Sequence, residues 1–233
     1  MLSLENIKAG YGKKRIINDL SMKVDSNKIC ALIGHNGAGK STILKTIIGT
    51  LPLWSGTIQY NGRVLTSNPK NNIDYGISYL AQGAMVFRNL AVKDNLRIAS
   101  FVHGESELQF QCIENIYKNF SILHDKKNYL ARHLSGGEQQ ILAIGMALVQ
   151  QPKLLLMDEP SLGLSRRNID KVFDLIVSLN QENDIAFLIV EQKVERVLEI
   201  SDYTYVLRLG EIALEDNSKT LLREKSYKRI FMS

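Results

Sequence analysis

The first part of the chain alternates β-type and helical patterns of apolar residues. Leu2 to Val24 has alternating apolar positions on both sides of a Gly-containing turn at Ala9–Lys14, which predicts two short strands of an antiparallel sheet. Lys28 to Ile33 reads KICALI and is continuously apolar after its lysine, which is typical of a strand buried on both faces. Helical spacing of apolar residues begins near Lys40 and ends at Gly49, so a strand, a loop and a helix follow one another.

The remaining pattern adds a hairpin, a helical segment and a regular alternation. Asn61-Gly62 lies between β-prone residues, which is a strong hairpin signal. Leu96 to Leu130 has an apolar face at helical spacing and predicts a mostly helical insert. Beyond it, the pattern predicts helices at 139–149, 168–180 and 194–200 and strands at 154–157, 185–190 and 203–207. This alternation indicates a parallel sheet.

Composition narrows the class of protein. With 45% hydrophobic and 23% charged residues in 233, the chain has the composition of a well-cored globular protein. The net charge of +5 is not clustered as in a nucleic-acid binder, so we expect no nucleic-acid partner. No apolar run approaches the roughly 20 residues of a membrane helix, and the first residues show no signal peptide. Cys30 and Cys112 lack metal-ligand spacing and fit a reducing compartment, so we predict a cytoplasmic location.

The strongest chemical signal is GHNGAGKS, which matches G-x-x-x-x-G-K-S/T between a predicted strand and a predicted helix. Backbone N–H groups of such a loop wrap phosphates, and the helix start adds unpaired donors and a positive dipole end. We expect the Lys40 ammonium to reach the terminal phosphates of ATP and the Ser41 hydroxyl to ligate Mg²⁺. The structural alternative is a glycine-rich turn that only caps a helix. The predicted nucleotide-binding residues are Gly34, His35, Asn36, Gly37, Ala38, Gly39, Lys40, Ser41 and Thr42, with His35 expected to be a bystander rather than a catalyst.

A second signal is KLLLMDEP, a buried apolar strand that ends in two carboxylates. Consecutive strand residues project to opposite sides, so Asp158 and Glu159 cannot share one task unless the strand ends between them. We assign Asp158 to Mg²⁺, because a hard cation beside phosphates prefers oxygen anions. We assign Glu159 to the water that attacks the terminal phosphate, as general base or orienting residue. Alternatively, the two acids cap the following helix.

The segment LSGGEQQ precedes a predicted helix and combines a hydroxyl, two glycines and an acid. Ser135 and Glu138 fit the capping box S-x-x-E, so the residues alone favour an ordinary helix start.

The order of these motifs resembles the nucleotide-binding domains of ABC ATPases, from Leu2 to about Leu222. The resemblance implies an α/β P-loop NTPase fold of the ABC type, with a RecA-like parallel-sheet core, an N-terminal antiparallel β subdomain and an inserted α-helical subdomain. It predicts a single ABC domain over 1–233, in which 1–87 and 151–222 form the core and β subdomain. The helical subdomain with the signature would span about 88–150, and a basic helix would span 219–231. That C-terminal stretch interleaves basic and apolar residues, as a solvated amphipathic helix or a lipid-contacting one does.

Several residue roles follow from this resemblance. LSGGEQ matches the family's signature motif, so Ser135, Gly136, Gly137 and Glu138 would form a second anion site that one subunit presents to the ATP held by the other. Tyr11 matches the aromatic residue that stacks on adenine, although an ordinary turn tyrosine would look the same. Gln82 matches the loop glutamine that contacts Mg²⁺ and water, the alternative being a plain polar loop residue.

Departures from the family pattern narrow the subfamily. Gln192 stands where most ABC ATPases have a switch histidine, and Ser165 stands where many have an aspartate. Both features, with DEPSLGL and VEQ, resemble the ATPases of branched-chain amino acid uptake. Gln192 is therefore a candidate catalytic residue that hydrogen-bonds at the terminal phosphate but does not titrate as histidine does. Gln82 instead resembles urea-type uptake ATPases, and Met146 replaces a common arginine.

The resemblance also implies partners. Each complete ATP site would need Lys40 from one chain and Ser135 from another, so we expect a second ABC ATPase subunit, identical or a sister. Integral-membrane permeases would bind the pair at the inner face of the cell membrane, and a substrate-binding protein would act through them. The expected function is an ATP hydrolase that energises an importer of branched-chain or other hydrophobic amino acids. The alternatives are a urea or amide transporter, a lipid or lipopolysaccharide transporter, and a soluble ABC ATPase such as an iron–sulfur assembly subunit.

Overall fold

The computed structural model describes residues 1–104 and 106–232. Glu105 and Ser233, which fall inside the predicted domain, and the side chains of Phe231 and Met232 lie outside this description. The strands are β1 (Leu2–Tyr11), β2 (Lys14–Val24), β3 (Ile29–Gly34), β4 (Leu53–Tyr60), β5 (Arg63–Val64), β6 (Ile77–Leu80), β7 (Leu154–Asp158), β8 (Ala186–Glu191), β9 (Tyr203–Arg208) and β10 (Glu211–Asn217). The helices are α1 (Lys40–Ile48), α2 (Pro69–Asp74), α3 (Val92–Ala99), α4 (Glu107–Asn119), α5 (Ser121–Asp125), α6 (Gly136–Leu148), α7 (Arg166–Asn183), α8 (Val194–Ile200), α9 (Ser218–Glu224) and α10 (Tyr227–Met232).

The strands form two sheets. The larger has the order β10-β9-β3-β8-β7-β6, and its strands are parallel except for the antiparallel edge strand β10. The smaller is antiparallel, with the order β2-β1-β4-β5. The predicted parallel core and N-terminal antiparallel sheet are therefore confirmed.

Strand β3 explains how one continuous apolar run builds two cores. Side chains alternate along a strand, so Cys30 and Leu32 face the layer between the two sheets, while Ala31 and Ile33 face the opposite layer. Helix α1 lies in the first layer, and the helical insert packs with α6, α7 and α8 in the second. Since both faces of β3 are covered, the loop that follows it is held on a rigid support.

Two helices differ from their predicted form, and three further elements were not predicted. The helix predicted from 139 begins at Gly136, because Ser135 caps it. The predicted single C-terminal helix is two helices, α9 and α10, since Lys225 adopts a left-handed φ of 54° and ends the first. Leu221 and Tyr227 from this segment are buried in the core, so these two side chains serve packing. Strands β6 and β10 and helix α2 were not predicted.

None of the helices within the described residues has both the length and the apolar character that crossing a bilayer requires.

Candidate active site

The loop between β3 and α1 forms an open cradle at the carboxyl edge of the large sheet. Gly37 and Gly39 have left-handed φ angles of 80° and 111°, which glycine adopts without steric cost. A Cβ atom on Gly39 would lie 2.6 Å from the Ile17 Cδ1 atom, so only glycine fits there. Gly39 caps α1 without any side-chain hydrogen bond, and the first turn contains no acidic residue. The N–H groups at the start of α1 are therefore available to an anion.

Lys40, the first residue of α1, turns back over this loop. Its Nζ atom donates to the carbonyl oxygens of Gly34 at 2.8 Å and His35 at 3.0 Å. Burial lowers the pKa of the Lys40 ammonium, and the nearby carboxylates, Glu159 first, oppose that shift. The ammonium is thus a buried cation whose carbonyl partners are weak compensation for its lost hydration, and phosphate oxygens would compensate it better.

A cavity of about 380 Å³ opens over the cradle and brings most of the predicted residues together. It is lined by Tyr11, Ile16, Asn36, Gly37, Gly39, Lys40, Ser41, Thr42, Gln82, Glu159 and Gln192. The half-exposed Tyr11 ring stands at one side, and the amides of Gln82 and Gln192 stand near Glu159. Gly34 and Ala38 support the loop from below, because both are buried, whereas the His35 side chain is exposed. This volume lies in the range of small-molecule pockets.

Asp158 ends β7 and lies beside the first turn of α1. One carboxylate oxygen accepts a hydrogen bond from Ser41 Oγ at 3.0 Å, and the other accepts one from the Tyr79 hydroxyl at 3.2 Å. Burial raises the pKa of this carboxyl, although both hydroxyl donors lower it. A hydroxyl and a carboxylate in contact are hard oxygen donors, which Mg²⁺ prefers when phosphates and water complete its shell. Ser41 and Asp158 therefore fit the predicted metal.

Glu159 leaves the strand in a different direction. Strand β7 ends at Asp158, and Glu159 has a left-handed φ of 50°, which costs a non-glycine residue roughly 1–2 kcal/mol. Its two carboxylate oxygens accept from Gln82 Nε2 at 2.7 Å and Gln192 Nε2 at 2.6 Å. The strand thus does end between the two acids, and they face different partners.

The signature segment lies apart from this cavity and forms a complete helix cap. Ser135 accepts from the Glu138 N–H at 3.4 Å, and the Glu138 carboxylate accepts from the Ser135 N–H at 2.9 Å. Lys126 donates to Glu138 at 2.7 Å and is the main cause of its lowered pKa. A Cβ atom on Gly137 would lie 2.3 Å from Asn168 Nδ2, so a larger residue there would displace the Asn168 side chain. Within one chain, Ser135, Gly136, Gly137 and Glu138 do not line the Lys40 cavity.

Sequence reasoning missed four residues that support the site. Tyr79 lies on the unpredicted strand β6, and its hydroxyl contacts Asp158. Glu191 is buried and accepts a hydrogen bond from the Ser161 N–H at 2.9 Å, while Lys193 Nζ donates to the Ser161 carbonyl at 3.4 Å. Gly210 donates its N–H to the Ala38 carbonyl at 3.0 Å. The available signal for Glu191 was a carboxylate at the end of a continuous apolar strand.

Comparison with known proteins agrees with this geometry. The sequence model described as ABC transporter matches residues 17–162. The chain is 40% identical to the high-affinity branched-chain amino acid transport ATP-binding protein BraG of Pseudomonas aeruginosa, over 95% of each chain. It is 37% identical to the probable branched-chain amino acid transport ATP-binding protein LivF of Archaeoglobus fulgidus, over 100% of this chain and 98% of that one.

A solved structure extends the agreement to three dimensions. A nucleotide-free ATP-binding cassette from an ABC transporter superposes with a TM-score of 0.89 at 27% identity, over 100% of this chain and 99% of that one. Family, relatives and fold agree with the cradle, the two carboxylates and the signature cap. The chain therefore belongs to the ABC transporter family and is one of its ATP-binding, ATP-hydrolysing cassettes.

Proposed function

We propose that this chain energises an importer of branched-chain or other hydrophobic amino acids. The observation that carries the chemical part is the cavity in which Lys40, Ser41, Glu159 and Gln192 meet. The cargo rests on the two amino acid transport relatives, together with the SLGL sequence after Pro160 and the VEQ sequence at the end of β8.

ATP would bind with its phosphates in the glycine cradle. The uncapped N–H groups of α1 and the loop would donate to phosphate oxygens, and the Lys40 ammonium would exchange its carbonyl partners for the terminal phosphates. Tyr11 would support the adenine ring at the rim by stacking. Each of these contacts uses a group that lines the cavity.

Ser41 and Asp158 would hold Mg²⁺, with Gln82 nearby, and the bound ion would neutralise charge on the phosphate oxygens. Asp158 must be ionised to do so. Its raised pKa reflects burial, which contact with a cation would offset.

Glu159 would accept a proton from the water whose oxygen attacks the terminal phosphorus. The bond between that phosphorus and the bridging oxygen breaks, and ADP and inorganic phosphate leave. The amides of Gln82 and Gln192 each occupy one acceptor site on a different carboxylate oxygen, so each oxygen keeps a second site for the proton. Gln192 would then donate to the terminal phosphate.

Two cassettes would complete each site. Ser135 and the N–H groups of Gly136 and Gly137 lie at the start of α6, away from the cavity of their own chain, and would close the cavity of a second chain. Permease subunits would bind the pair at the cytoplasmic face of the membrane and pass its closure to the cargo pathway. A substrate-binding protein would deliver the cargo on the opposite side.

Glu159→Gln tests the chemistry. The variant should bind Mg-ATP as wild type does and hydrolyse it more slowly by a factor of about 10²–10⁴, because a general base is lost. Size-exclusion chromatography with light scattering should detect an ATP-dependent pair of variant chains. Wild-type turnover in this variant would contradict the role of Glu159.

Uptake assays test the cargo. Membranes from cells that contain the chain and its permeases should take up labelled leucine, and deletion of the chain should abolish that uptake. Leucine uptake that persists while urea uptake is lost would favour a urea transporter. Failure of the chain to co-purify with membrane subunits would favour the soluble class.

A further inference from the structure

A buried carboxylate that the proposed chemistry does not use lies next to the site. Glu191 is the last residue of β8 and is 1% exposed. It stands in the middle of the large sheet, where its backbone pairs with Ile33 of β3. A buried charge is costly unless hydrogen bonds compensate it, so the contacts of this carboxylate indicate what it does.

Glu191 is compensated by backbone N–H groups from two loops. One carboxylate oxygen accepts from the N–H of Ser161, in the loop after β7, at 2.9 Å. The other accepts from the N–H groups of Gln192 at 3.0 Å and Lys193 at 3.3 Å, in the loop after β8. Lys193 adds a second link between these loops, since its Nζ atom donates to the Ser161 carbonyl at 3.4 Å.

The same two loops carry the Glu159 and Gln192 side chains, whose contact is 2.6 Å long. Glu191 and Gln192 are neighbours in sequence, and each reaches the loop after β7, the first at the Ser161 backbone and the second at the Glu159 carboxylate. The loop after β7 needs support, because Glu159 has a left-handed φ of 50° and begins a turn in which the Leu162 N–H donates to the Glu159 carbonyl at 3.0 Å.

We propose that Glu191 is a positioning residue that clamps the turn at Glu159 to the loop at Gln192, and so sets the separation of these two side chains for hydrolysis. This inference rests on the proposed ATPase chemistry of Glu159. A carboxylate suits the position because it only accepts hydrogen bonds and offers two oxygens to the three N–H donors. A glutamine amide would direct its NH₂ group at one of the two loops and would release that loop.

A purely electrostatic role is the competing explanation. The Glu191 charge lies close enough to Lys40 to oppose the lowering of the lysine pKa. Aspartate at position 191 keeps the charge but is one methylene shorter, so it would fail to span both loops. Glu191→Asp and Glu191→Gln therefore separate reach from charge.

The experiment measures steady-state ATP hydrolysis by the purified full chain. We expect kcat to fall about tenfold in both Glu191→Gln and Glu191→Asp, as the loss of one hydrogen bond to a charged group predicts, while KM for ATP changes by less than about twofold. Glu195→Gln, which makes the same charge change on helix α8, is the matched control and should behave as wild type. Normal kcat in Glu191→Asp would leave only the electrostatic role and overturn the proposal.

A double-variant cycle provides a readout that general destabilisation would not mimic. If Glu191 acts by placing Gln192 against Glu159, then adding Glu191→Gln to a Gln192→Ala chain should lower kcat by no more than about twofold. A further tenfold loss there would overturn the proposal. Should substitutions at 191 prevent folding, Lys193→Met removes the second link between the loops, from Lys193 Nζ to the Ser161 carbonyl. We then expect kcat to fall about threefold at unchanged KM. An unchanged kcat would count against the clamp.

Amide hydrogen exchange tests the clamp directly. In Glu191→Gln, peptides covering 159–165 and 190–195 should exchange faster, while peptides from β1 and β2 should exchange at the wild-type rate. Exchange at the wild-type rate in the peptides of both loops would contradict the clamp. If the wild-type protein has no ATPase activity, the proposed function is wrong. If the wild-type protein is active and the Glu191 variants are equally active, only the role of Glu191 is wrong.

Discussion

The starts of helices α1 and α6 use glycine and helix N-termini in opposite ways. Helix α1 follows Gly39, has no side-chain cap and has no acid in its first turn. Helix α6 follows Ser135 and has a complete capping box with Glu138, which Lys126 supports at 2.7 Å. The start of α1 leaves its backbone N–H donors available to an anion. The start of α6 uses the Glu138 N–H in its own cap.

This difference has an energetic meaning. A good N-cap contributes typically about 1 kcal/mol, which α1 lacks until an anion binds its first turn. Helix α6 has that contribution within the chain, because its capping box is complete. The cradle therefore leaves a stabilising contribution for a ligand to supply, whereas the signature cap is already formed within the chain.

The largest loss of ATP turnover should come from a substitution at the uncapped start of α1. Lys40→Ala removes the buried cation of the cradle, and we expect ATP turnover to fall about 10³-fold, as for loss of a group that stabilises charge in the transition state. Lys219→Ala, an exposed lysine change on α9, is the control. Turnover within about tenfold of wild type would show that the cradle does not need this ammonium.

Two substitutions of Ser135 test the capped start of α6. Ser135→Ala removes the cap and should lower the free energy of unfolding by about 1 kcal/mol, whereas Ser135→Asp keeps a good cap and near wild-type stability. If Ser135 also meets a phosphate, the aspartate should repel it and lower turnover about 10²-fold. Normal ATP hydrolysis in Ser135→Asp would reduce the signature to a helix cap, which is the interpretation favoured by the residues alone.

Asp158 links the cradle to stability and pH. Burial raises its pKa above the ordinary value of 3.8, so the folded chain binds this proton more tightly than the unfolded chain. The stability that this group contributes is present at low pH and declines as the pH rises from 3.8 through the folded pKa.

Asp158→Asn should therefore raise the unfolding midpoint of the nucleotide-free chain slightly at neutral pH, while ATP turnover falls about 10²-fold. Thermal unfolding across the pH range and ATP hydrolysis measure both effects. A lower midpoint at neutral pH would contradict the assignment of a desolvation penalty to this carboxyl.

The smallest loss of ATP turnover should come from a substitution of Gln192, which lines the cavity and contacts Glu159. Gln192→Ala removes one hydrogen bond to Glu159 and should lower kcat about tenfold. An amide does not titrate near neutral pH, so the shape of the pH–rate profile should not change. Loss of an ionisation near the ordinary histidine range in Gln192→Ala would contradict this prediction.

The sequence predicts local contacts of the site better than contacts between distant parts of the chain. The cradle and the capping box are local patterns, so their residues and spacing predicted the start of α1 and the Ser135–Glu138 cap, although the predicted start of α6 was three residues late. The contact of Gln192 with Glu159 joins residues far apart in the chain, and only the parallel pairing of β7 and β8 brings them together. Tyr79 was missed because β6 is a four-residue strand whose existence depends on pairing with β7.

The break at Lys225 was missed for a different reason. Lysine is a good helix former, and nothing in its local sequence indicates the left-handed φ that separates α9 from α10. Packing of Leu221 and Tyr227 into the core overrides that local preference. Local patterns thus predicted the glycine loop between β3 and α1, while tertiary pairing decided how the neighbouring carboxylates are held.

The most direct test of the composite site mixes two inactive chains. Lys40→Ala retains Ser135, and Ser135→Asp retains Lys40, so a mixed pair contains one intact site. In an equal mixture about half of the pairs are mixed, and we expect recovery of about a quarter of wild-type ATP turnover. Turnover no higher than the average of the two separate variants would contradict the claim that the cradle of one chain is closed by the signature of another.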